Sequence, residues 1–358
     1  MILISHPTGN TFFRSAARAL YSRQLLLELA SSICWNPKSL FSRFLPSRVL
    51  NQLNRRYFED IPLYLQHSYP YREYLRHVAS FLNINSLDTH ELGPLSIDKS
   101  YQSFDRHIAS RISKLSSIQA IYSYEDCSLE SFRVAKSKGL LRFYDLPIGY
   151  WRAAQLIFEE ERELNPEWAS TLTGLADSPA KRDRKDMELE LASVVIVPSN
   201  FVSSTLKTYS NCKVPIKVIP FGSPTPCSTL PNTCPRGPLR VLFVGSLGQR
   251  KGLSYALNAV KQLGSQVSLT LIGRRSTKDC PQLNLAISNH NWIETLPHHQ
   301  ILEQMRKHDI LLLPSLFEGY ALVLSEALSQ GLPVIATTNS GAPESIRDGI
   351  EGYIVPIR

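Results

Sequence analysis

The sequence predicts an α/β protein built from two parallel-sheet domains. Three observations carry that prediction. Short apolar runs rich in Val, Ile and Leu recur along the chain, each closed by Gly, Pro or Asn and followed by a segment with apolar residues at helical spacing. The run Ile310-Leu311-Leu312-Leu313, closed by Pro314, and the segment Tyr320 to Leu328 after it form the clearest pair. Between Ser223 and Pro238, five prolines interspersed with Ser and Thr exclude a continuing strand or helix and divide the chain. A length of 358 residues at 43% hydrophobic content is enough for a proper core on each side of that division. The expected organisation is a first domain over residues 1–222, carrying a helical insertion over about 35–95, a Pro-rich linker over 223–238, and a second domain over 239–358.

Taken in order, Met1 to Ser5 reads as the first strand and His6-Pro7-Thr8-Gly9-Asn10 as the turn after it, where Gly9 and Asn10 let the backbone bend sharply. A helix from about Thr11 to Leu29 follows. From Trp35 to Leu95 the chain is rich in aromatics and arginines, including Phe41, Phe44, Tyr57, Phe58, Tyr64, Tyr69, Tyr71 and Tyr74, without a strand-helix rhythm. Such a stretch suits an amphipathic surface on anionic lipid. Stacking on single-stranded nucleic acid is disfavoured for want of a supporting period or motif. The rhythm resumes with a strand over Ile118 to Ser123, a helix around Ser128 to Lys138 and a strand over Leu140 to Tyr144. Asp145-Leu146-Pro147-Ile148-Gly149 then turns into a helix beginning near Tyr150. Lys181 to Glu190 has mixed charges at helical spacing and reads as a solvated helix face. Ser193 to Val197 is a strand, Pro198-Ser199-Asn200 caps the helix from Phe201 to Tyr209, and Val218 to Gly222 carries the last strand before the linker.

In the second domain, Arg240 to Gly245 is a strand leading through Ser246-Leu247-Gly248-Gln249-Arg250-Lys251-Gly252 into a helix with Leu253, Ala256, Leu257 and Val260 on one face. Lys and Arg are ordinarily favoured at the other end of a helix, so Arg250 and Lys251 at this start call for an anion between them. Val267 to Ile272 and Asn291 to Glu294 are strands; Arg274 and Arg275 follow the first, and either contact a nucleobase or are surface residues. His298 and His299 read as a helix start rather than a metal site. The loop after Leu313 delivers Glu318, and Glu326 follows two helical turns into Tyr320 to Leu328, a helix ending at Gly331. A start near Tyr320 places free backbone N–H groups of Gly319, Tyr320, Ala321 and Leu322 beside Glu318, where they suit a diphosphate. Val334 to Thr337 is the next strand, and Pro343 and Glu344 mark another helix start.

The pair Glu318 and Glu326, an E-x(7)-E spacing inside FEGYALVLSEALSQGLPVIAT and followed by GAPESIRDGIEGYIV, resembles the C-terminal half of retaining nucleotide-sugar glycosyltransferases of family 4, which have the GT-B fold. The resemblance implies two Rossmann-like domains facing a cleft, and transfer of a hexose-type sugar from a nucleoside diphosphate donor, with retained configuration, to a glycan or lipid-linked acceptor. VGSLGQRKG is similar to the family's donor-phosphate segment, which assigns Lys251, Arg250 and Gly245 to the donor alongside Gly319, Tyr320, Ala321, Leu322 and Glu326. Ser246 stands where many members have another arginine. Glu318 is the implied catalytic carboxylate. Members commonly have a histidine at the end of a strand in the first domain; this chain has Phe143-Tyr144-Asp145, so either Asp145 or Glu125-Asp126 takes over that role or the contact is absent. The loop after the first strand places His6, Gly9 and Asn10 on the acceptor side. Family members continue beyond Gly352-Tyr353-Ile354-Val355-Pro356 through further helices, so the second domain is expected to be incomplete.

Other classes are excluded on specifics. No G-x-G-x-x-G with a following acidic residue supports a dinucleotide-binding dehydrogenase, and no D-x-D supports a metal-dependent transferase. The expectation is therefore an enzyme without metal or cofactor, the nucleotide-sugar being a co-substrate. A nucleotide-sugar epimerase or hydrolase and a non-catalytic sugar-nucleotide-binding protein stand as alternatives. Six cysteines without a C-x-x-C pair indicate reduced thiols, and an apolar strand at the amino terminus, rather than a signal peptide, indicates the cytoplasm. Net charge is +8, and Arg14, Arg18, Arg23, Lys38, Arg43, Arg48, Arg55 and Arg56 are opposed within their stretch only by Glu28. That stretch suits peripheral contact with an anionic membrane at its inner face.

Overall fold

The computed structural model describes the chain except for residues 40, 41, 43, 44, 83 and 229–236. Phe41, Arg43 and Phe44 of the aromatic and basic stretch, most of the second half of the linker, and Cys234 lie outside the described residues, as does the side chain of Arg48. The chain forms two compact units. One comprises Met1–Leu146, Asp177–Ile196 and Asn211–Lys217; the other comprises Pro147–Ala176, Val197–Ser210 and Val218–Arg358. Two segments that precede the linker, Pro147–Ala176 and Val197–Ser210, thus pack with the residues after it.

The first unit holds a seven-stranded parallel sheet. Its strands are β1 (Ile2–Ser5), β2 (Leu26–Ser31), β3 (Gln66–Ser68), β4 (Ala120–Tyr124), β5 (Leu141–Asp145), β6 (Val194–Val197) and β7 (Ile216–Val218), in the order β3-β2-β1-β4-β5-β6-β7. The order reverses between β1 and β4. The expected long first helix is corrected: it ends at Ser22, and Leu26–Ser31 is a strand paired with β1. Gln24 takes a left-handed conformation that stops the helix, and the apolar run after it is buried on both faces of the sheet. Glu28, the charge inside that run, receives Nε and Nη2 of Arg111 at 3.0 and 2.7 Å. The supposed insertion likewise contributes β3 to the sheet, beside helices Ser47–Asn54 and Tyr71–Phe81. Ile4, Phe13, Ala17, Leu26, Leu29, Phe58 and Ile61 form the core between sheet and first helix.

The stretch Lys181 to Glu190 is a second correction. It lies in the helix Pro179–Leu191, and Lys185, Asp186, Glu188 and Leu189 are buried. Arg184 reaches Asp105 at 2.9 Å and Glu188 at 3.2 Å, Lys185 reaches Asp126 at 2.9 Å, and Glu188 accepts the backbone N–H of Asp126 and Ser128. Lys185 is buried beside Asp126, and Glu188 beside Arg184 and two backbone N–H groups, which is the condition for burying such groups.

The second unit holds a six-stranded parallel sheet: β8 (Leu239–Val244), β9 (Val267–Ile272), β10 (Asn291–Ile293), β11 (Ile310–Leu313), β12 (Val334–Thr337) and β13 (Gly352–Val355), ordered β10-β9-β8-β11-β12-β13. Alternation along β8 sends Val241 and Phe243 to one face, where the helix Leu253–Leu263 adds Leu253, Ala256 and Val260, and Leu242 and Val244 to the other. The order reverses between β8 and β11. In open parallel sheets a ligand crevice forms outside the carboxyl ends of the strands at such a reversal, and the loops there are Gly245–Gly252 and Pro314–Ala321.

Candidate active site

The two loops at the reversal in the second unit meet through charge. Gln249–Lys251 form one 3-10 turn. Lys251 directs its ammonium onto Oε1 of Glu318, and Arg250 Nη1 donates to the same oxygen at 2.9 Å and to the Phe317 carbonyl at 3.0 Å. Lys251 and Glu318 are buried. Burial acts to raise the Glu318 pKa, but Lys251 and then Arg250 outweigh it and hold the carboxyl below its usual range. Burial likewise lowers the Lys251 pKa, with Glu318 opposing the shift and Arg250 adding to it. The anion required between the two cations is thus supplied in this structure by a carboxylate of the neighbouring loop.

Backbone conformation fits this cluster. Gly245 has φ +148°, and a Cβ there would stand 3.2 Å from Cε of Lys251, so the glycine leaves the lysine stem its path. Gly319 packs so closely that a Cβ would overlap the carbonyl of Pro147, and its own carbonyl accepts from Ser199 Oγ at 2.8 Å. Phe317 packs edge-on against Phe158 and Phe201. The loop bearing Glu318 is therefore held by Pro147 to Gly149, Phe158 and Ser199, all within the second unit. Its helix begins at Leu322, two residues later than expected, and runs to Ser329. Ala321 precedes it at φ +63°, a left-handed conformation costly for a residue with a Cβ, and such strain concentrates at functional positions. Tyr320 is buried and accepts from Ser345 Oγ at 3.0 Å.

Glu326 is not drawn into the cluster; it pairs with His298 Nε2 at 2.9 Å and keeps part of its surface open. His298 begins the helix His298–Lys307, as expected. Arg275 lies over Trp292 with its guanidinium carbon 5.5 Å from the ring centroid, and Arg274 is exposed.

One feature escaped sequence reasoning. Glu161, in the helix Trp151–Leu164, is fully buried and accepts from Gln249 Nε2 at 2.6 Å, Tyr255 Oη at 3.0 Å, Asn165 Nδ2 at 2.7 Å and Arg358 Nε at 3.0 Å. Gln249 in turn bonds Ser254 and receives support from Thr171. This network fixes the residue immediately before Arg250 and Lys251. No local signal marks Glu161, since EEERE reads as a charged helix face.

In the first unit, the loop after β1 brings His6, Gly9 and Asn10 together. His6 Nδ1 accepts the backbone N–H groups of Thr8 and Gly9, each at 3.0 Å, and Nε2 lies 2.9 Å from Asn10 Nδ2. Asn10 Oδ1 caps the helix Thr11–Ser22 at Phe13 N–H. Burial, then Arg56 and Arg14, lower the His6 pKa to about 3, so the imidazole is neutral at physiological pH. The basic stretch is less available than its sequence suggests. Arg14 is spent on the carbonyls of Gly9, Arg55 and Tyr57, and Arg56 on Thr8 carbonyl and Glu73. Arg18 pairs with Asp60 at 3.5 Å.

Asp145 ends β5 with its side chain buried and Oδ2 lacking a hydrogen-bond partner. Burial raises its pKa to about 7, a bond from Tyr122 opposing the shift and Glu125 adding to it. Glu125 is also raised to about 7, by burial first, against the pull of Lys185. The folded Asp145 carboxyl holds its proton more tightly than the unfolded one. Its contribution to stability is complete below about pH 4 and is lost as pH rises through about 7. Asp145→Asn is accordingly expected to raise the thermal midpoint at pH 8, by the equivalent of roughly 1–3 kcal/mol, and to leave it unchanged near pH 4. Equal midpoints at pH 8 would show that Asp145 ionises there at no cost.

Residues 232–358 match the family model described as Glycosyl transferases group 1. The amylovoran biosynthesis glycosyltransferase AmsK of Erwinia amylovora is 34% identical over 134 residues, 33% of this chain and 32% of that protein. The match therefore spans about a third of the curated relative. Among solved structures, sucrose-phosphate synthase from Thermosynechococcus elongatus aligns with 100% of this chain and 86% of its own at a TM-score of 0.65 and 15% identity. HepE of Anabaena, determined in complex with UDP and glucose, aligns with 99% of this chain and 85% of its own at 0.55 and 16% identity. The fold is that of the GT-B glycosyltransferases, two parallel-sheet α/β domains.

Proposed function

We propose that the chain is a glycosyltransferase of the retaining, family 4 type, moving a hexose from a nucleoside diphosphate donor to a hydroxyl of a glycan or lipid-linked acceptor, without a metal or cofactor. The observation that carries this reading is the cluster of buried Lys251 and Glu318 with half-exposed Arg250 at the sheet reversal, within the part of the chain that matches the group 1 family. The relative from amylovoran biosynthesis supports a glycan acceptor, and the UDP and glucose bound by HepE support the donor class. Negative charge develops on the nucleoside diphosphate as its bond to the sugar breaks. Lys251, Arg250 and the N–H groups at Leu322 and Val323 are the donors that stabilise it, preorganised by burial. As the diphosphate binds, it takes a share of the cations from Glu318, whose carboxylate then serves the sugar. Glu326 bonds the ribose once His298 yields. Asp145 supplies a carboxyl whose pKa is raised to about 7, and His6, Gly9 and Asn10 serve the acceptor side.

The test is a thermal-shift panel of uridine, guanosine and adenosine diphosphate sugars, followed by turnover of the best binder with and without glycan and polyprenol-linked acceptors. A bound donor raises the midpoint by about 2.7 kcal/mol of linkage at a hundredfold excess over its Kd. Donor turnover that depends on acceptor is the expected result. Sugar release or epimerisation without acceptor would replace transfer, binding without any turnover would leave a sensor, and no shift with any nucleotide sugar would end the reading.

A further inference from the structure

The helix Tyr71–Phe81 is amphipathic the wrong way round. At 100° per residue, Tyr71, Tyr74, Leu75, Val78, Phe81 and the following Leu82 fall within a third of the circumference. That face points outward, each of the six being between 41% and 81% exposed. The inward face holds Ala79 and Glu73, a buried carboxylate met by Arg56 at 3.2 Å, Arg76 at 2.9 Å and His77 at 3.4 Å. A helix that buries a salt-bridged acid and presents two tyrosines, two leucines, a valine and a phenylalanine to solvent has its apolar surface arranged for something outside the unit.

Charge identifies the occupant. From Leu63 to Ile84 the sole acidic residue is Glu73, which is buried and met by Arg56 and Arg76; Asp88, just beyond the stretch, acts on Arg76. Arg72, half-buried with Nη1 on the Pro94 carbonyl, borders the apolar face, Arg76 and His77 being turned to Glu73, and Arg23, Lys38 and Arg55 are exposed on the same unit. Two copies apposed through this face would bring the Arg72 rims of both together with no exposed acidic residue of the helix to meet them, a like-charge contact. An anionic bilayer surface accepts both components at once, the apolar face at the acyl boundary and the flanking cations at the headgroups. Tyrosines suit that depth, with the ring in the apolar layer and the hydroxyl in the wet one.

We propose that the helix Tyr71–Phe81 lies flat on an anionic lipid surface and attaches the protein to it through Tyr71, Tyr74, Leu75, Val78, Phe81 and Leu82. The inference bears on where an acceptor would be met and not on the donor site, so the experiment omits donor and can fail independently of the glycosyltransferase reading. The full chain is floated with vesicles of phosphatidylcholine alone and with about 30% phosphatidylglycerol added. Wild type is expected to float with the anionic vesicles, less so as salt rises. The triple variant Tyr74→Ser, Leu75→Ser, Phe81→Ser is expected to bind at least tenfold more weakly, roughly, from the apolar area it withholds. Its circular dichroism and thermal midpoint should match wild type; should it fail to fold, Phe81→Ser alone, at the most exposed of the six positions, is expected to give a several-fold loss. Absence of flotation at low salt, or equal flotation of the variants, would overturn the proposal. So would a wild-type dimer in sedimentation that the same substitutions dissolve without vesicle binding, since the occupant would then be a second copy.

Discussion

Glu318→Gln is expected to lower the thermal stability of the second unit before any question of catalysis arises. The substitution keeps the shape of the side chain and removes its charge, leaving the Lys251 ammonium buried with Arg250 as its nearest charged neighbour. Removing one member of a buried ion pair costs about 3–5 kcal/mol, because the survivor has lost water without keeping its partner. For a unit of this size each kcal/mol moves the midpoint by about 2–4 °C. The same variant exposes two unpaired cations to any anion that enters, so phosphate or a nucleoside diphosphate should restore the midpoint of Glu318→Gln by more than it raises that of wild type. A double variant with Lys251→Met should recover part of the loss, as coupled sites do. A midpoint equal to wild type would show that Lys251 sheds its proton or reaches water easily, and the cluster would then have no claim to be preorganised.

How far the sequence discloses this arrangement depends on whether the deciding contacts are local. The strands of the second unit were legible, because a strand covered on both faces reads as a continuous apolar run, and β9, β11 and β12 begin and end where their sequences do. Arg250 and Lys251 were legible as a charge conflict at a helix start, although the partner in the structure is Glu318 rather than a phosphate. The strand β2 was hidden because Leu25 to Ala30 continues the apolar spacing of the preceding helix, and what stops that helix is the conformation of Gln24. The burial of Lys185 and Glu188 was hidden because their partners, Asp126 and the N–H groups of Asp126 and Ser128, are about sixty residues away along the chain. Glu161 was hidden for the same reason. A charged residue in a helix says nothing about its burial until the tertiary partners that neutralise it are known.

Lys251→Ala should act on ligand more than on fold, in contrast to the carboxylate it meets. Once the lysine is gone, Glu318 still receives Arg250 at 2.9 Å, so no buried charge is stranded and the midpoint should fall less than in Glu318→Gln. The diphosphate, by comparison, loses a charge-assisted bond in a site from which water is largely excluded. Its affinity is expected to fall by about 1.5–3 kcal/mol, the range for hydrogen bonds to charged groups, or roughly ten- to a hundredfold in Kd. The corresponding nucleoside has no charge to offer and should bind the variant as it binds wild type. Calorimetry with UDP and uridine, or with whichever base the panel selects, therefore separates two roles for Lys251. If Lys251 is there to steady Glu318, both ligands lose affinity together through the disturbed loop. If it is there for the leaving group, the diphosphate alone suffers, and Arg250→Ala, which removes the more exposed cation, produces the same pattern at smaller amplitude.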